Sequence, residues 1–303
     1  MYSRKKKRNL ATLPGGSRET LGEDLRASMN TIKRLLDKPE FPRSMKYDPL
    51  WMLENQMGPN VIWITEWLCE QLSIDKEMRV LDLGCGKAIS SIFLAKEFET
   101  RVWAADLWIS PDNNWRRAAN AGVADRICPV RVESHNLPFA AGFFDVVVSL
   151  NAYHFFGTDA LYLNYLSRFV RKGGLLGIVV PGLTRAIGRD VPEHLTKPQS
   201  NGKVFWGPEC LSIQTVDWWR ELWERSGKVQ NVRAELLPNG WQHWRDFEQA
   251  MEQAGVNAFP VNVEVLDRDQ GRYLGLVSVT AQRNETDTMN LYDPVAVNRG
   301  TPY

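Results

Sequence analysis

The stretch Val80-Leu81-Asp82-Leu83-Gly84-Cys85-Gly86-Lys87-Ala88 decides the fold of this 303-residue chain. A short apolar run carrying an acid leads into a glycine pair, and a second apolar run, Ile89 to Phe98, continues with helical spacing. Strand, sharp turn and helix in that order form the opening unit of a parallel sheet. The turn must also come close to whatever binds above it, and glycine permits both. Twenty-two residues after Gly84, Asp106 ends a second apolar strand, Arg101 to Ala105. Open α/β sheets hold a carboxylate there for ribose hydroxyls, so the two features together point to an adenosine-type ligand.

Glycine spacing separates the candidate ligands. A dinucleotide fingerprint, G-x-G-x-x-G, would need its third glycine at position 89, which is Ile89. The acid Asp82 also sits poorly beside a pyrophosphate, because like charges repel. A sulfonium cofactor removes that conflict. The run resembles motif I of class I S-adenosylmethionine (SAM) methyltransferases, with Asp82, Gly84 and Gly86 in place and Ala88 where the family carries a third glycine. The resemblance implies SAM as cofactor, held by Asp82, Gly84, Cys85, Gly86, Asp106 and Leu107.

Outward from this stretch, strands are expected near 79–83, 101–106, 127–132, 144–150, 174–180, 230–236 and 272–282. Helices are expected near 88–98, 113–121, 160–171, 216–226 and 241–254, with Lys172-Gly173-Gly174 capping the third. The alternation predicts an α/β fold: a doubly wound, mostly parallel, seven-stranded sheet. The resemblance adds a terminal antiparallel hairpin. N-terminal helices precede the sheet. The expected organisation is a disordered basic tail at 1–19, a helical cap at 20–78, the SAM-binding domain at 79–283 with a Pro- and Gly-rich insertion at 181–214, and a flexible tail at 284–303.

Two later segments extend the resemblance. Glu133-Ser134-His135-Asn136-Leu137-Pro138-Phe139 follows the third strand and is similar to the Asp-Ala-x-x-Leu-Pro-Phe segment of small-molecule methyltransferases, which places Glu133 and Ser134 at the adenine. Asn151-Ala152-Tyr153-His154-Phe155-Phe156 lies at the carboxyl end of the fourth strand, where open sheets bind ligands. Asn151 is a cofactor candidate there, and the absence of an Asn-Pro-Pro-aromatic motif argues against nucleobase or protein-amide methylation. Tyr153 and His154 are the catalytic candidates, with His154 a general base of near-neutral pKa or an imidazole serving only the local structure. Methyl transfer often needs positioning alone, which favours the second role.

Twelve tryptophans leave aromatic residues for a binding wall. Trp51 and Trp206, in loop contexts, are substrate candidates, joined by the polar groups of Glu54, Asn55 and Asn60. A net charge of +1 argues against a whole-surface nucleic-acid binder. No apolar run is long enough for stable membrane insertion, and the four cysteines, without close pairing, fit a reduced cytoplasm with no metal site. Nothing in the sequence specifies an oligomeric state. The expected function is SAM-dependent methylation of a small molecule. The alternatives are a SAM-binding protein without catalysis and a SAM enzyme acting on lipid or acyl chains.

Overall fold

The computed structural model describes residues 18–256 and 262–285. The expected tails therefore lie outside the described residues, except at their inner edges. Arg18 and Glu19 already belong to the first helix, α1 (Arg18–Leu36), so the helical cap starts ahead of residue 20. Next come α2 (Pro49–Asn55) and α3 (Val61–Gln71). Asp48 caps α2 by accepting the Trp51 N–H at 2.8 Å. Asn60 caps α3 by accepting the N–H groups of Ile62 and Trp63, so this residue, expected among the ligand contacts, is a helix cap.

The sheet follows: β1 (Arg79–Leu83), α4 (Ile89–Glu97), β2 (Arg101–Asp106), α5 (Pro111–Asn120), β3 (Ile127–Arg131), β4 (Phe144–Leu150), α6 (Tyr162–Leu166) and β5 (Val170–Leu183). The rest of the chain adds α7 (Glu193–Thr196), β6 (Gln214–Thr215), α8 (Val216–Arg225), β7 (Val229–Leu236), α9 (Gly240–Ala254), α10 (Val263–Asp269) and β8 (Leu274–Arg283). Strand order is β3-β2-β1-β4-β5-β8-β7, with the two-residue β6 beside β5 as an eighth strand. Strands β1 to β5 pair in parallel, and β8 runs antiparallel to both β5 and β7. The antiparallel end is therefore present, but α9 and α10 lie between its two strands in place of a hairpin turn.

The expected helix at 160–171 is cut short at Leu166, and a 3-10 turn leads into β5 at Val170. Gly173, at φ +68°, does not cap a helix. It sits in a bulge where β5 slips against β4 between Phe144 and Val146. The insertion also begins later than residue 181, because β5 continues to Leu183.

Apolar side chains fill both faces of the sheet. One face buries Tyr153, Trp219 and Trp223. The other buries α3, α4 and α9, with Trp63 edge-on to Phe247 at 5.8 Å. Helix α1 packs on α9, and the Lys38–Asp246 ion pair at 2.6 Å ties the chain just after α1 to α9. The cap is thus shared between the N-terminal helices and a helix 200 residues downstream, with the ligand-binding edge of the sheet beneath it.

Glycine is required at β1's end for a steric reason. Gly84 has φ +76°, and a Cβ there would overlap the Ala152 methyl. Gly122 has a similar φ of +74° but open space around it. Gly122→Ala should cost about 1–2 kcal/mol from backbone conformation alone, and Gly84→Ala about 1–3 kcal/mol more from overpacking. Urea denaturation of both variants checks this; equal losses would show that the contact with Ala152 does not matter.

Candidate functional site

The strand order reverses between β1 and β4, and a crevice opens there at the carboxyl ends of the strands. It forms a cavity of about 560 Å³, within the usual range of about 300–1,000 Å³ for small-molecule sites. Gly84, Cys85 and Gly86 make its floor, Asp106 and Leu107 one wall, Glu133 and Ser134 one end, and Asn151 and His154 the opposite side.

Asp106 holds this arrangement together. Its Oδ2 accepts the Gly86 N–H at 2.9 Å, and its Oδ1 accepts the Trp108 and Ile109 N–H groups at 2.8 Å each. An ionised carboxylate has about four acceptor directions, so Oδ2 keeps one free for a ligand hydroxyl. Asn114 fastens the same loop from α5, its Nδ2 donating to the Gly86 carbonyl at 2.9 Å. Ala88 takes a left-handed conformation, φ +59°, and opens α4 without a side-chain cap.

Asn151 stands at β4's end in the left-handed region, φ +55°. Its Nδ2 donates to the Pro59 carbonyl at 2.9 Å, which joins the sheet to the cap, and its buried Oδ1 has no partner. At the far end, Glu133 accepts the Ser134 hydroxyl at 2.9 Å and the His135 N–H at 2.8 Å. The Ser134 carbonyl accepts the Tyr162 hydroxyl at 3.0 Å.

Several expected residues lie elsewhere. Asp82 is fully buried outside the cavity wall. Its Oδ2 accepts the Ser90 and Ser91 hydroxyls at 2.6 Å each, fastening β1 to the first turn of α4. Tyr153 is fully buried on the other face of the sheet among Phe156, Tyr162, Trp219 and Trp223, which removes it from the chemistry. Trp51 stacks on Tyr47, Glu54 is exposed, and Trp206 packs against the core; none of the three lines the cavity. Asn55 does line it, with its Oδ1 accepting from Arg117 at 2.9 Å. His154 also lines it, but burial lowers its imidazole to about 4 and its Nδ1 has no partner. It is a neutral ring at pH 7, not a base of near-neutral pKa.

The sequence reading missed the wall contributed by α9, where Trp244, Glu248 and Met251 face the cavity. Their i, i+4, i+7 spacing marks one helix face, and a glutamate among apolar neighbours was the available signal. Lys87, Trp108 and Phe155 complete the rim.

Residues 80–174 match the family model described as a methyltransferase domain. The chain carries that domain. A Pseudomonas putida protein named "Probable fatty acid methyltransferase" is 30% identical over 137 residues, 43% of this chain and 34% of that protein. Methyltransferase GfsG of Streptomyces halstedii is 24% identical over 189 residues, 58% of this chain and 63% of that one. The chain thus spans less than two thirds of both curated relatives. Among solved structures, geranyl diphosphate C-methyltransferase from Streptomyces coelicolor A3(2), in complex with Mg2+, geranyl diphosphate and S-adenosyl-L-homocysteine (SAH), aligns with a TM-score of 0.56 at 14% identity, covering 83% of this chain and 87% of that one. At that identity the likeness establishes the class I fold.

The buried Asp82 gives the methyltransferase domain a pH signature. Burial raises its carboxyl from 3.8 to about 6, against the two serine hydrogen bonds that lower it. A group raised in the folded state favours folding while protonated. That contribution is complete below about pH 4 and lost as pH rises through 6. Between pH 4 and 7.5 the wild type should therefore lose about 2–3 kcal/mol relative to Asp82→Asn. Urea midpoints of both proteins across that range test it, and parallel profiles would contradict the assignment.

Proposed function

We propose that the protein is a SAM-dependent methyltransferase acting on a small molecule with a largely apolar body. The observation carrying this reading is the charge of the cavity. Three carboxyl groups, those of Asp106, Glu133 and Glu248, line it against one lysine, Lys87, whose Nζ donates to the Glu54 carbonyl at 2.7 Å. Such a wall suits a sulfonium cation and repels a pyrophosphate.

The residues fit the cofactor part by part. The free direction on Asp106 Oδ2 would receive a ribose hydroxyl, and the Glu133–Ser134 turn would meet the adenine. Asn151 Oδ1, buried and unpartnered, would accept from the amino group of the methionine moiety. Gly84 and Gly86 let the ligand approach the backbone, and Cys85 and Leu107 pack around it. Bound SAM supplies a methyl group on a good leaving group. The chain then has to hold a nucleophile in line and exclude water. Met57, Val61, Trp244 and Met251 from the cap, with Ile89 and Phe155 from the sheet side, supply the apolar surface for both tasks.

That apolar surface favours an acceptor with a hydrocarbon portion, including acyl chains, and no described helix is long and apolar enough to cross a membrane. A cytoplasmic location and the absence of a nucleic-acid partner belong to the same reading, from the cysteine usage and the balanced charge.

Calorimetry should find tight SAM and SAH binding and no NAD binding; the reverse would overturn the reading. Asp106→Ala should weaken SAH roughly 10- to 100-fold, the loss of one charge-assisted hydrogen bond. It should also destabilise the fold, because the backbone N–H groups of Gly86, Trp108 and Ile109 lose their acceptor. An unchanged dissociation constant would place the ribose elsewhere.

A further inference from the structure

Glu248 is the one carboxyl on the cap side of the cavity wall. It is 5% exposed and sits on α9. Three donors hold it: the Trp244 indole N–H at 2.6 Å and the Asn262 Nδ2 at 3.1 Å on Oε1, and the Asn262 backbone N–H on Oε2. All three are donors, and they hold the carboxyl in one orientation. No basic side chain among the described residues pairs with it. A buried carboxylate without a counter-charge is costly, and Glu248 lines the cavity with one acceptor direction on Oε2 left open.

We propose that Glu248 binds the amino group of an amine acceptor, so that the protein's substrates are amines with an apolar body. The proposal rests on the methyltransferase reading for the word acceptor, but the amine site stands on its own geometry. The ammonium supplies the missing counter-charge, and Trp244, Met251 and Met57 cover the carbon chain. For transfer, the amine first gives one proton to Glu248. Its freed lone pair then forms the N–C bond as the C–S bond breaks, and that electron pair stays on sulfur.

The other charged groups around Glu248 have their own partners or lie apart from it. Within the cavity, Lys87 is held by the Glu54 carbonyl and His154 is neutral, while Asp106, Glu133 and His135 lie at the other end. Towards the N-terminal helices, Lys38 pairs with Asp246, and His243 lies 3.4 Å from Glu40. Around α10, Arg245 pairs with Asp267, Arg268 with Glu264, and His194 with Asp269. Burial raises the Glu248 carboxyl to about 7, so a cation that binds its ionised form binds more tightly as pH rises through 7.

The test compares octylamine with octan-1-ol, equal in length but uncharged, by calorimetry on the full chain with and without SAH. At pH 8 the amine should bind the wild type at least tenfold more tightly than the alcohol, and this advantage should fall about tenfold at pH 6. Glu248→Gln should reduce the preference below twofold and remove its pH dependence, while SAH affinity holds within twofold. Glu248→Asp should keep the pH dependence. Equal binding of the two probes by the wild type, binding of neither, or a preference that survives in Glu248→Gln would overturn the proposal. A wild type that prefers the amine but does not bind SAH would support the amine site and remove the methyltransferase reading instead.

Discussion

Three backbone N–H groups converge on the Asp106 carboxylate, and the arrangement of the binding edge follows from that convergence. Gly86 donates from the loop after β1, and Trp108 and Ile109 donate from the loop after β2. Two loops that would otherwise carry unsatisfied backbone donors are fixed to one point at 8% exposure. The same carboxylate retains an acceptor direction toward the cavity. Structural anchoring and, in the proposed reading, ribose recognition thus fall on one side chain.

A second constraint acts from above. The cap is built from α1, α2 and α3 together with α9, and its apolar surface closes one side of the cavity. The Asn151–Pro59 hydrogen bond and the Lys38–Asp246 ion pair tie the two halves of this cover to the sheet and to each other. Glu248 on the cap and His154 at the end of β4 both line the cavity, and burial drives them in opposite directions. The carboxyl is raised to about 7 and the imidazole lowered to about 4, so the carboxyl is the stronger base of the two.

The parts of the site legible in the sequence are those set by local geometry. Gly84, Gly86, Asp106, Glu133 and Asn151 all sit at strand ends, where the alternation of strands and helices leaves only one edge for a ligand. Local pattern was insufficient where direction mattered. Asp82 shares a motif with the glycines, but its side chain turns under α4 to Ser90 and Ser91. Tyr153 and His154 are adjacent, yet one packs among tryptophans and the other meets the cavity. Residue type singles out Trp51, Glu54 and Trp206, but it does not report which surface a side chain joins. The α9 wall was invisible for a further reason: its place over the cavity depends on packing against α1 and α3, more than 150 residues away in the chain.

The central claim is that the strand-end crevice holds the adenosine half of SAM with Asp106 at the ribose. A crystal structure of the protein grown with SAH tests it most directly. The account predicts a ribose hydroxyl donating to Asp106 with the Gly86 N–H bond retained, and the adenine beside Glu133 and Ser134. SAH bound outside this crevice, or seated in it with its ribose beyond hydrogen-bond reach of Asp106, would contradict the account.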